Sequence, residues 1–166
     1  MEKELKFEVR LTARDLWGFS MYHANHGFQG AFNVIFTLAA LFLLIFRWST
    51  LTMSYRGLLA VCILLFAVWQ PLILYYKARK QAKAPVVQDL MTLTFREAGL
   101  TVEQNGQNVE FTWEQMGRMD RFPNMIVLYM DRVHAYLLPK RVLGDQEEAL
   151  CEMAREHLKK EQLRKI

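Results

Sequence analysis

Two charge-free apolar runs constrain this chain more than any other feature. The first, AFNVIFTLAALFLLIF from Ala31 to Phe46, holds no ionisable group. With Gln29, Gly30 and Trp48 it approaches the ~20 residues that a bilayer core requires. The second, GLLAVCILLFAVWQPLILYY from Gly57 to Tyr76, is equally free of charge, and as a helix it would reach across roughly 30 Å. In a chain of 166 residues nothing else could cover two helices that are apolar all round. The reading is therefore a transmembrane helical hairpin over 31–76 rather than a pair of buried core helices. The first run begins behind a patterned segment carrying Glu2, Glu4, Glu8 and Asp15, which argues against a cleaved signal peptide.

The loop RWSTLTMSYR between the runs is short, so the helices are expected to be antiparallel, with both chain ends on one side. The chain carries 21 basic and 17 acidic residues, a net +4, and much of the excess is local. Lys77, Arg79, Lys80 and Lys83 follow the second run directly and outnumber Arg47 and Arg56 of the loop, which places both termini in the cytoplasm of a multi-pass inner-membrane protein. The same four residues are candidates for anionic lipid headgroups, although anchoring the topology is a sufficient role. Trp48 and Tyr55 on one side, and Trp17, Tyr22, Tyr75 and Tyr76 on the other, fit aromatic belts.

Asn33, Thr37 and Gln70 are polar groups in or near the apolar runs. None is ionisable, so helix pairing is preferred over a pore or sensing site. Pro71 removes a backbone donor from the second helix. Gly27 and Ala31 have small-xxx-small spacing, weak support for association of the spans.

Outside the spans the pattern changes. In residues 1–30, Leu5, Phe7, Val9 and Leu11 alternate with Lys6, Glu8 and Arg10 as in a strand with one wet face. Thr12 followed by Asp15 then predicts a helix start leading into an interfacial helix. Residues 77–90 read as a basic juxtamembrane stem, and 91–166 as a cytoplasmic domain. Its strand-like runs are 91–95, 99–104, 108–113, about 115–120, 125–130 and 133–138, with Asn105-Gly106 as the sharpest hairpin turn. Pro139 ends the last run. Asp145 and Glu148 are spaced as a capping box for a final helix from 146 to about 164, with Leu150, Met153, Ala154, His157 and Leu158 on one face. About seven strands and one closing helix make the inventory of a small antiparallel pleckstrin-homology-like barrel or sheet. The fold class is thus an α+β membrane protein, and the strand at 5–11 is expected to pair with an edge of the carboxy-terminal sheet.

The sequence resembles the bacterial YcxB-like family. The resemblance runs from LKFEVRLTARDLW through the two spans and GLTVEQNGQNVEFTW, and rests most on Gly99-Leu100, Trp113, the strand pair around Tyr129 and Tyr136, and Leu138-Pro139-Lys140-Arg141. It implies an integral membrane protein with a pleckstrin-homology-like cytoplasmic part, and it implies no activity and no catalytic residue.

The residues themselves point away from an enzyme. No G-x-S-x-G, H-E-x-x-H, Walker or dinucleotide glycine pattern is present. His23 and His26 are three apart but lack further ligands for a metal, and Cys62 and Cys151 have no partner pattern, so no cofactor is expected. Arg118, Arg121, Arg132, Lys140 and Arg141 could converge as a basic rim, but interleaved Asp120 and Asp131 argue against nucleic acid. The expected function is a membrane-anchored module that holds a protein partner or peptide at the inner membrane surface. The alternative is a small membrane component of a transport or stress-immunity system that forms homo-oligomers through its spans.

Overall fold

A computed structural model describes residues 4–131 and 134–166, the side chain of Gln29 excepted. The chain forms two compact units. One joins the segment ending at Leu11 to everything from Lys83 onward, and the other is Thr12–Ala82.

The first unit is α+β. Strand β1 (Leu5–Val9) pairs antiparallel with β2 (Met91–Arg96), which continues through β3 (Gly99–Gln104) to β4 (Gln107–Phe111). The buried-exposed alternation of β1 puts Leu5, Phe7 and Val9 inward. Asn105 and Gly106 both have positive φ, as a two-residue hairpin between β3 and β4 requires. The second sheet has the order β7 (Ala135–Pro139), β6 (Met125–Tyr129), β5 (Arg118–Arg121), β8 (Leu163–Arg164). Pro139 sits on an edge strand, where its missing N–H is tolerated.

The sequence-based expectation of a barrel is corrected here: two separate four-stranded sheets share one core rather than closing on each other. That core joins Leu93, Phe95, Leu100, Met119, Ile126, Leu128 and Leu138 to Leu150, Cys151 and Met153 of helix α7 (Glu147–His157).

Helix α7 is shorter than its apolar pattern predicts. Leu158 is extended, and the chain then makes a 3-10 turn at Lys160–Gln162 and adds β8 in parallel to β5, an eighth strand that periodicity did not reveal. The Asp145–Glu148 capping box does not form. Asp145 lies in a 3-10 turn, and the Glu148 carboxylate is held by Arg121 and Arg155. The strand expected from 115 starts at Arg118, because Thr112 and Gln115 cap a 3-10 turn at Trp113–Gln115 instead. A short helix α5 (Pro85–Gln88) precedes β2, and α6 (Lys140–Leu143) follows β7.

The second unit is helical. Thr12 and Asp15 form the capping box of α1 (Ala13–Asn25), with Thr12 N donating to Asp15 Oδ2 at 2.8 Å. His26 is extended and Gly27 has φ +79, so α1 and α2 (Gly27–Phe46) meet at a bend of 78°. A Cβ at Gly30 would collide with the Asn25 backbone, so the bend requires glycine there. Helix α3 (Met53–Leu64), a π turn at Leu65–Trp69 and α4 (Gln70–Gln81) run on as one helix of 29 residues. The π turn is where the proline predicts trouble. Pro71 has no N–H and its ring crowds the preceding turn, and widening that turn relieves the clash.

Among the described residues, Met53–Gln81 alone meets the length and apolarity of a membrane span, and none of its most apolar stretch is buried within the molecule. Helix α2 meets the same test only together with α1 across the bend. The second run is therefore longer than 57–76, and the expected basic stem is partly its last helical turn. Helix α1 packs along α4: Trp17 Nε1 donates to Pro71 O at 3.1 Å, and its ring meets the edge of Tyr75.

Candidate functional site

Among the described residues β4 is an edge strand of the first sheet, as β7 is of the second. In a two-residue hairpin the flanking pair, here Gln104 and Gln107, is hydrogen-bonded, and bonded and non-bonded pairs then alternate. The backbone N–H and C=O groups of Val109 and Phe111 therefore point to β3, and those of Asn108 and Glu110 point outward. Among the described residues β4 pairs with β3 alone. On the core-facing side Val102 is buried, but its partner Val109 is 47% exposed. Beside it Phe111 lies against Tyr136 of the other sheet, with ring centroids 6.2 Å apart. A cavity of about 430 Å3 adjoins the same strand, lined in part by Gly99, Thr101, Glu110, Phe111 and Thr112. The other edge of this sheet, β1, is flanked by α6, where Arg141 Nη2 donates to Arg10 O at 2.8 Å.

The expected basic rim takes a different form. Arg121 Nε lies 2.7 Å from Glu147 Oε1, Lys140 Nζ approaches the same oxygen at 3.2 Å, and Arg155 pairs with Glu148 at 3.1 Å. Glu147 and Glu148 occupy the first turn of α7, where the helix dipole favours negative charge. The bond to Glu147 raises the Arg121 pKa above its ordinary value. Arg121 and Lys140 are thus brought together, but around carboxylates. Arg118 Nε is 2.8 Å from Asp120 Oδ1, and its guanidinium lies over the Tyr129 ring at 4.3 Å. Arg132 lies outside the described residues.

Lys77, Arg79 and Lys80 are exposed on the last turns of α4, next to Tyr75 and Tyr76, and Lys83 is exposed just beyond the helix. Among the described residues no group of three or more His, Cys, Asp or Glu side chains could hold a metal. His23 and His26 instead contact the Tyr22 ring.

Open edge, shared core and closing helix define a small α+β module, and the other unit of the chain is helical and apolar. Residues 95–150, from the end of β2 into α7 and including the whole of β4, match the model of the YcxB-like protein family, so the family resemblance read from the sequence is supported over that segment, about a third of the chain. No curated protein and no solved structure matches the chain. Sequence reasoning had found the β3–β4 hairpin but not its open edge; the signal available was the polar character of Gln107, Asn108 and Glu110 around Val109.

Proposed function

We propose that this chain is a membrane-anchored binding module that holds an extended segment of a partner protein at the cytoplasmic surface by adding it as a strand to β4. The observation that carries this reading is the unpaired edge at Asn108 and Glu110 beside half-exposed Val109. Outward backbone groups supply the hydrogen bonds of strand addition, and the adjacent apolar surface selects alternate side chains. Exposed Glu110 and Glu114 favour a segment with basic side chains at that edge.

The order of four antiparallel strands, three more and a closing helix supports a pleckstrin-homology-like head. The helix Met53–Gln81, apolar and unburied, supports insertion in a bilayer, with α2 as the second span. Lys77, Arg79, Lys80 and Lys83 then mark the cytoplasmic surface and lie where anionic headgroups would meet them.

The test uses the full chain in its own cells with a photo-crosslinking residue at position 109. A discrete adduct with a different protein is expected, and Glu110→Pro should abolish it. That proline removes an outward N–H without touching the β3–β4 ladder, so resistance of the head to protease should be unchanged. An adduct that survives Glu110→Pro, or one formed with a second copy of this chain, overturns the reading.

A further inference from the structure

The helical unit gathers its polar side chains. Asn25, Asn33, Thr37 and Gln70 line one cavity of about 190 Å3, together with Val34, Leu38, Phe66 and Ala67. Asn25 Nδ2 donates to Met21 O at 2.9 Å and Thr37 Oγ1 to Asn33 O at 2.8 Å, which leaves their oxygens able to accept. The side-chain amides of Asn33 and Gln70 make no hydrogen bond among the described residues.

The backbone adds a further acceptor. In the π turn the Gln70 N–H reaches back five residues to Leu65 O, and the next bond in that register would run from residue 71 to Phe66 O. Proline cannot make it. Unmet amides in an apolar setting, beside a carbonyl that the proline leaves without its bond in this register, cost several kcal/mol unless something hydrogen-bonds to them.

We propose that this cavity is a hydrated site let into the apolar unit, taking water or a neutral molecule of similar size and hydrogen-bonding character. Both donors and acceptors line it and no ionisable group does, so its chemistry suits an uncharged occupant that can give and accept hydrogen bonds. At ~30 Å3 for each water, the volume is enough for a small cluster. The inference rests on the proposed bilayer setting.

Single cysteines tested in a background of Cys62→Ser and Cys151→Ala separate the two ideas. Thr37→Cys and Ala67→Cys place thiols in the cavity, Ile35→Cys and Val68→Cys place them on the opposite, exposed apolar faces, and Thr50→Cys marks the loop. In native membranes a membrane-impermeant methanethiosulfonate, which reacts with the water-borne thiolate, should modify positions 37 and 67 at least tenfold faster than 35 and 68. Replacing both Asn33 and Gln70 by Leu should bring the cavity rates down to those controls. Equal slow rates at all four positions would overturn the hydrated site while leaving the bilayer setting intact. Rates at 35 and 68 as fast as at Thr50→Cys would overturn the bilayer setting and the site with it.

Discussion

Trp113 ties the turn before β5 to the first sheet and to the closing helix. Its Nε1 donates to Arg96 O at 3.0 Å and to Glu97 O at 3.1 Å, and its ring stacks on His157 at the end of α7. Trp113→Phe keeps much of the apolar surface but takes the donor from two carbonyls, so it should cost about 1–3 kcal/mol. Trp113→Ala should cost about 3–5 kcal/mol. Urea unfolding of the full chain in nanodiscs, followed by protease sensitivity of the head, measures both. At the same scale, burial raises the pKa of Cys151 from 9.0 and of Tyr136 from 10.0. A proton held more tightly in the folded state stabilises below the unfolded pKa, and the benefit is lost as pH climbs past that value. The head should therefore hold its stability up to about pH 9 and weaken above it, by at most about 1.4 kcal/mol per pH unit per group. Cys151→Ala with Tyr136→Phe should flatten the slope of urea midpoints measured between pH 8 and 10.5.

At the scale of elements, close approaches decide more than propensity. Gly99 has φ +145, and a Cβ there would strike Phe111 O where β3 meets the end of β4. Gly99→Ala should destabilise the head by roughly 3 kcal/mol or more, whereas Gly106→Ala, in an open turn, should cost only its backbone strain of about 1 kcal/mol; thermal unfolding of the two variants separates the effects. Such approaches also mark what the sequence could and could not reveal. Period-two alternation exposed β1 because one of its faces is wet, while the β2–β3–β4 meander was legible as short strand-like runs between turn signals, of which Asn105-Gly106 was the sharpest. Gly99 read as a turn residue and Gly30 as part of an apolar run, but neither close approach was legible, since the atoms they meet are the backbone of Phe111 and the far side of a bend. Helix α7 was overextended because Leu158 continues the apolar face of the helix while belonging to the tail that leads to β8. Arg121 and Lys140 were read as members of a possible basic rim, and only the tertiary fold shows that both pair with the Glu147 carboxylate.

Viewed whole, the chain inserts its helical unit between the first strand of the head and the rest of it. The head is therefore incomplete until β1, made before both apolar runs, pairs with β2, made after them. Leu5, Phe7 and Val9 are buried in the shared core. At about 1.5–3 kcal/mol each, their loss removes an amount comparable to the roughly 5–15 kcal/mol that holds a domain of this size together. Deleting residues 2–11 should leave the helical unit in the membrane fraction but open the segment from 91 to 166 to trypsin, while Lys6→Ser, on the wet face of β1, should change nothing. A synthetic peptide spanning residues 4–11 should restore resistance in a concentration-dependent way, because the vacated edge of β2 and the pocket for Phe7 remain specified by residues still present. Undiminished trypsin resistance after the deletion would show that the remaining strands close the core without β1.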